Sequence, residues 1–371
     1  IRLRTLYLVP KRPLAIQAAR DLRGCFCTGS ATDPVIEVYG GKQKKCAVLP
    51  HITIMVINSA LLCPPSYFDD YQCVVMDEVH MYCSKQRQGV FRRAGGRYVL
   101  GMTATSNDRS DGFDPIAHRE LAFDGIIRAE DVPGFTYDDV EFDCRADIIL
   151  YNGPPEHTQN LKHAATGRIF THYMHNQFIG DPYRLQLAVN KLIELYDWRG
   201  TGPDPPCHNI YVFAEEIDIL AQARDAFSAA LVARGRADIQ TEFDDDLMAD
   251  AVDPSLAMFT GGLKDKEITD ITVNARVLFS TFSYAGTGVS IQKMTAMMFL
   301  TPRKANMKQI LARMLRRGSD NRIPRICVDI VDNKTALRYQ VGERRNAYSI
   351  YGFQQSDTKV SYRDAICAAP G

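Results

Sequence analysis

The sequence lacks an excess of either charge: 44 lysines and arginines stand against 44 aspartates and glutamates in 371 residues, a formal net charge of zero. Such a chain is no polybasic nucleic-acid glue, and any anion site in it must be local. No apolar run approaches the roughly 18 residues that a membrane span needs. The first residues, Ile1 to Arg4, have no starting methionine and no charged segment leading into an apolar one. No secretory signal is visible there, and Ile1 reads as an internal starting point. No internal repeat or low-complexity tract stands out. Ten cysteines are present, but no two stand at the two-residue gap of a zinc knuckle. Several, such as Cys73 and Cys327, lie in apolar runs, where a reduced cysteine behaves as a small hydrophobe. A reducing, intracellular compartment is the expectation. With 46% hydrophobic and 24% charged residues, wholesale disorder is excluded.

The length predicts two or three domains at roughly 150 residues each. Short apolar runs rich in valine and isoleucine alternate with helical periodicity, the pattern of open α/β sheets with mainly parallel strands. In the first half the strands are expected at Thr5 to Val9, Ile52 to Ile57, Cys73 to Met76 and Tyr98 to Met102. In the second half they are expected at Ile210 to Phe213, Ala257 to Phe259, Val277 to Ser280, Met297 to Leu300 and Ile326 to Val331. Helices are expected over Leu14 to Arg23, Arg184 to Tyr196, Glu216 to Ala233 and Asn306 to Arg317. The glycine and proline cluster from Trp198 to Cys207 is the clearest breaker. The reading is a first domain over 1–128, a linker with connecting helices over 129–200, whose helices belong to the linker or the second domain, and a second domain over 201–371 ending in a helical tail.

Ligands of open α/β sheets bind beyond the carboxyl ends of the strands. The run Cys73 to Met76 leads straight into Asp77-Glu78-Val79-His80, two adjacent carboxylates where a buried strand surfaces. A magnesium-bound nucleotide would supply the missing positive charge, one carboxylate holding the ion and the next polarising a water. An acidic helix cap is the plainer alternative. The next strand ends in Thr103-Ala104-Thr105, whose hydroxyls suit either a turn or a bond to the acidic motif. Near the end, Met307, Ile310, Leu311, Met314 and Leu315 follow the spacing of a buried helical stripe. Gln309, Arg313 and Arg316 then fall within an arc of about 60° on the other side. Two guanidinium groups on one face can neutralise charge on a phosphoryl group, or form a solvated basic face.

Asp77-Glu78-Val79-His80, Thr103-Ala104-Thr105 and the run Gln309 to Arg316 resemble motifs II, III and VI of the superfamily 2 helicases, in the family's order. Thr5 to Gln17 looks like motif Ia, Ile210 to Phe213 like motif IV, and Ser280 to Ser290 like motif V. The cluster Asp108 to Gly112 and the tail from Val328 to Tyr348 look like the branch holding the phage recombination helicase and the transcript-release helicases of nucleo-cytoplasmic large DNA viruses. The resemblance covers nearly the whole chain, loosely over 113–208. Three departures stand out. The Gly-x-x-x-x-Gly-Lys-Ser/Thr phosphate loop is absent, and Gly40-Gly41-Lys42-Gln43 is no substitute because Gln43 has no hydroxyl for magnesium. The family places that loop just before motif Ia, so truncation is the expectation. Ala312 stands where glycine is common, and Ser290 where many relatives carry aspartate.

The resemblance implies two RecA-like domains that bind ATP and Mg²⁺, with Asp77 on the metal and Glu78 activating water. It implies Gln309, Arg313 and Arg316 from the second domain at the nucleotide, with Gly288 near it. His80, Thr103 and Thr105 would couple hydrolysis to movement. Lys11, Arg12, Ser59 and Thr281 would hold the nucleic-acid backbone, largely blind to base sequence. The expected activity is that of an ATP-dependent helicase or translocase, with this fragment inactive. DNA is the favoured partner and RNA possible, alongside viral replication or transcription proteins, in cytoplasm, nucleus or viral factory. A viral polyprotein RNA helicase, a restriction-complex translocase and an ATPase-inactive binding scaffold remain alternatives. His172-x-x-His175 with Cys207-His208 could offer zinc ligands from separate segments, a weaker expectation.

Overall fold

The computed structural model describes residues 3–39, 50–103, 114–121, 125–127, 131–133, 142–163, 166–235, 255–261, 263, 265–285, 293–303, 307–315 and 320–364. The described residues divide into two compact units, one up to residue 133 and the other from residue 142 onward.

In the first unit, strands β1 (Thr5–Val9), β2 (Ile36–Tyr39), β3 (Ile52–Val56), β4 (Cys73–Asp77) and β5 (Tyr98–Met102) form one sheet in the order β2-β3-β1-β4-β5. Every pairing is parallel. Helix α1 (Arg12–Phe26) opens with proline in its first turn and buries Leu14, Ala15 and Ala19 on the sheet. Short helices α2 (Ile57–Ala60) and α3 (Val90–Arg93) and the helix α4 (Asp114–Leu121) complete the described elements of this unit. Two clusters form its core, one around Leu6, Leu8, Val74, Met76 and Tyr82, the other around Val9, Ala15 and Ile54.

The second unit holds β6 (Cys144–Asn152), β7 (Ile210–Ala214), β8 (Leu256–Phe259), β9 (Val277–Thr281), β10 (Ala296–Phe299), β11 (Arg325–Asp332) and β12 (Gln354–Ser361). Their order is β12-β6-β11-β10-β7-β9-β8, parallel throughout. Helices α5 (Thr171–Ile179), α6 (Pro182–Asp197) and α7 (Ile217–Ala233) cover the sheet around Leu192, Leu220, Phe227 and Val212. The remaining helices are α8 (Asp265–Asn274), α9 (Phe282–Ala285), α10 (Met307–Leu311) and α11 (Val341–Ile350).

All nine strands expected from apolar runs are present, within a residue or two at their ends. Three strands escaped the periodicity. In β6 the exposed Arg145 and Asp147 break the run, and β12 is a mostly exposed polar edge. β2 is only four residues long. The stretch read as linker and connecting helices therefore gives β6, α5 and α6 to the seven-stranded unit, and the tail read as helical ends in a strand.

One expected helix is shorter. The α-helix near Gln309 is described only over Met307–Leu311. After it the amides of Arg313, Met314 and Leu315 bond three residues back, to Ile310, Leu311 and Ala312. This tighter winding turns the chain by about 120° per residue and shifts Arg313 off the face that regular α-geometry assigns it. Arg313 is only 6% exposed, so it does not stand on a solvated basic face.

Candidate nucleotide and nucleic-acid site

Register builds the acidic end of β4. Asp77 pairs with Met102 of β5, which carries Thr103 alongside the residues that follow Asp77. Glu78 then takes φ 50° and ψ 47°, and is the single non-glycine residue with positive φ among the described residues. Left-handed backbone costs a side-chain-bearing residue roughly 1–2 kcal/mol, and such strain collects at functional sites. The kink turns the chain into a 3-10 turn over Val79–Tyr82. It lets the Glu78 amide donate to Asp77 Oδ1 at 2.9 Å.

The same kink puts Glu78 Oε2 3.3 Å from His80 Nδ1. That ring nitrogen also lies 2.8 Å from Thr103 Oγ1. When Nδ1 carries a proton it can donate to either oxygen. When it is bare it can only accept from the Thr103 hydroxyl. His80 thus stands within reach of both Glu78 and Thr103 and connects the end of β4 to the end of β5.

Tyr7 of β1 was missed by sequence reading. Its hydroxyl bonds the Asp77 carboxylate. Burial raises the Tyr7 phenol above its ordinary range, and Asp77 raises it further, so it stays a neutral donor. Tyr82, fully buried, is raised in the same way by burial and then by Asp77. Burial also holds the Asp77 carboxyl above its usual value, against the Glu78 amide and the Tyr7 hydroxyl, which lower it. The only signal for Tyr7 is register: Tyr7 pairs with Val75, two residues before Asp77.

A half-buried carboxylate with two hydrogen-bond donors still favours a positive partner. Oxygen donors of this kind suit Mg²⁺, which keeps most of its waters and takes one or two carboxylates plus phosphate oxygens. Asp77 and Glu78 therefore fit a magnesium-bound nucleotide. Among the described residues no group of three or more His, Cys, Asp or Glu could hold a metal by itself. The zinc expectation gains no support there: His208 is fully buried, Nδ1 lies 3.0 Å from Thr295 Oγ1, and its ring sits 4.3 Å from that of Trp198.

Of the expected backbone contacts in this unit, Lys11 is half-buried immediately before α1, its ammonium pulled below its usual value by burial and by Arg87. Arg12 is exposed at the start of α1, and Ser59 is half-buried in α2. In the second unit Thr281 is buried at the end of β9, opposite Ala214 of β7. Gln309 is half-buried in α10. Thr105, Gly288, Ser290 and Arg316 lie outside the described residues, as do Gly40 to Lys45 and Asp108 to Gly112.

The turn before α10, Thr301 to Arg303, is tied to neighbouring elements. Thr301 Oγ1 accepts from the Glu215 amide at 2.9 Å, and Arg303 Nη1 meets Glu215 Oε1 at 2.7 Å. Arg344 Nη1 donates to the Arg303 carbonyl at 3.0 Å, and its Nε to Asp329 Oδ2 at 2.7 Å in a fully buried pair. The segment entering the arginine-bearing turn is thus fixed from β7, β11 and α11.

Residues 2–111 match the DEAD/DEAH box helicase family. Residues 2–111, which carry the Asp77 to His80 constellation, are thus similar to that family's helicase domain. More particularly, the chain is 30% identical over 321 residues to a protein of African swine fever virus (isolate Tick/South Africa/Pretoriuskop Pr4/1996) named "Putative ATP-dependent RNA helicase". That alignment takes 84% of this chain and 56% of the relative, so the chain spans a little over half the length of the viral protein. In fold it is similar to S. cerevisiae Dbp5 bound to RNA and ADP BeF3, at a TM-score of 0.57 and 12% identity over 99% of this chain and 80% of that one. It is similar also to Mycobacterium smegmatis Lhr bound to ssDNA and AMP-PNP, at 0.55 and 13% over 93% of this chain and 42% of that one. No described helix is long and apolar enough to cross a membrane.

Proposed function

We propose that this chain is the motor portion of an ATP-dependent helicase or translocase of a large DNA virus, acting on a nucleic-acid strand. The observation that carries the reading is the grouping of Glu78, His80 and Thr103 beside Asp77, with His80 Nδ1 3.3 Å from Glu78 Oε2 and 2.8 Å from Thr103 Oγ1. Asp77 would hold Mg²⁺ and Glu78 would orient and polarise the attacking water, its strained backbone fixing the carboxylate. ATP with its magnesium ion supplies the phosphoryl group. His80 and Thr103, with Thr105, would pass the state of that site to β5. Arg313 and Arg316, with Gln309 and Gly288, would serve the phosphoryl group from the second unit, as the helicase resemblance implies. Lys11, Arg12, Ser59 and Thr281 would meet the strand's backbone.

Residues 1–371 contain no Gly-x-x-x-x-Gly-Lys-Ser/Thr run, so this chain alone should turn over no ATP. A polypeptide carrying a phosphate loop ahead of residue 1 should hydrolyse ATP when nucleic acid is added. In that polypeptide Glu78→Gln should cut stimulated turnover by about 10²-fold or more, the scale of losing a positioned base, and leave ATP binding intact. Equal turnover in the two proteins would refute the role of Glu78. Stimulation compared between single-stranded DNA and RNA tests the expectation that DNA is favoured; the viral relative is named for RNA.

A further inference from the structure

Residues 157–180 contain no aspartate or glutamate, yet hold Lys162, Arg168 and four of the chain's eight histidines. Within it an antiparallel bridge joins Lys162 to Ile169, the Gly167 amide donates to the His163 carbonyl at 2.8 Å with Gly167 at φ +63°, and helix α5 follows. Gln177 of α5 makes two bonds to the backbone of Gln159, at 2.9 and 3.0 Å. Aromatic rings stand at the start of α5. Phe170 packs edge-on to Tyr173 at 5.1 Å and lies 4.9 Å from His163, while Phe170 remains 36% and Tyr173 53% exposed.

A second acid-free run, 333–342, adjoins it. Asn160 Oδ1 accepts from the Ala336 amide at 2.8 Å, joining the bridged loop to a turn that exposes Lys334, Arg338 and Tyr339, the last at 85%. The two runs leave the carboxyl ends of β6 and β11, which are paired neighbours with Tyr151 beside Asp332. In open α/β sheets this is the end where ligands bind. Exposed aromatics beside cations, without a carboxylate in either run, match the stacking platform and electrostatic track of single-strand binding. The run 157–180 lies outside the helicase-like motifs, and 333–342 lies within the tail from Val328 to Tyr348.

We infer that the bridged loop and the start of α5 within 157–180, with the turn 333–342, form a binding surface for single-stranded nucleic acid, bases stacking on Tyr173, Phe170 and Tyr339 and phosphates meeting Lys162, Arg168 and Arg338. The inference rests on the proposed nucleic-acid function and adds a contact surface to it.

The test is fluorescence anisotropy of the full 371-residue chain with labelled dT20 and rU20 at several salt concentrations. Phe170→Ala with Tyr173→Ala should weaken binding about tenfold or more, given the usual loss per stacked base. Lys162→Glu with Arg168→Glu should weaken it similarly and flatten the salt dependence. Far-UV circular dichroism checks that each variant is folded, and Arg224→Glu on α7 should bind as the parent does. Photocrosslinking of a bromodeoxyuridine oligonucleotide should label the peptides carrying Tyr173 or Tyr339. Unchanged affinity in both double variants, with the parent binding, overturns this surface and leaves the motor reading standing. A parent chain that binds neither strand overturns the surface, while the Glu78→Gln hydrolysis test judges the motor separately.

Discussion

Asp77 is held above the ordinary carboxyl range mainly by burial. A carboxyl raised on folding contributes stability below its unfolded value near 3.8, and that contribution is lost as pH rises through the folded value. At pH 7 the ionised group therefore opposes folding. Asp77→Asn should raise the melting temperature at pH 7, by a few degrees if about 1 kcal/mol is recovered. The gain should vanish near pH 3, and a melting temperature that falls at pH 7 would show that Asp77 stabilises the apo fold. His208 runs in the opposite sense for a base. Burial first, then Arg276, Arg325 and Arg145, push its imidazole down to about 3. Above the unfolded value of 6.5 both states are neutral and its stability contribution is whole. Below it only the unfolded chain takes up the proton, costing about 1.4 kcal/mol per pH unit until the folded value is reached. Urea melts from pH 7 to pH 4 should decline more steeply for the parent than for His208→Gln, and parallel declines would remove His208 as the cause. Asp77, Glu78, His80 and Thr103 were legible in sequence because they stand at the ends of apolar runs. Tyr7 and Arg344 were not, because each reaches its carboxylate, Asp77 or Asp329, through tertiary contact.

At the scale of elements, parallel strands buried on both faces print themselves as continuous valine and isoleucine runs, and these were the ones read correctly. β12 is invisible to that signal, since its residues Gln354 to Ser361 are mostly polar and exposed. β5 presents the opposite case. It was found by its apolar run, yet Tyr98, Val99 and Leu100 are 50%, 38% and 50% exposed, and β4 is its one neighbour in the sheet of described strands. An apolar edge with unpaired backbone groups is a template for pairing with another chain. Leu100→Lys should reduce concentration-dependent light scattering of the 371-residue chain severalfold, and equal scattering would show that β5 is not the sticky element. The arginine-bearing segment shows the limit of angular arithmetic, which assumes 3.6 residues per turn throughout. Once the amides from Arg313 onward bond three residues back, a wheel drawn over Asn306 to Arg317 misplaces Arg313.

At the scale of the molecule, a net charge of zero conceals strong local separation. Two short runs without a carboxylate, 157–180 and 333–342, collect cations and exposed rings that the total of 44 against 44 hides. Each unit has its own sheet and its own buried cluster, so each can be understood from its own strand order. The sequence by itself determined the class of fold, the strand and helix alternation, and the motifs that end the strands, because burial and carboxyl-end chemistry are written in residue type along the chain. Only the tertiary structure decided which strand ends become neighbours. Register set Thr103 beside His80, brought Tyr7 to Asp77, and joined the turn after β11 to the bridged loop after β6. Those pairings link residues many positions apart, and no local preference of the chain encodes them.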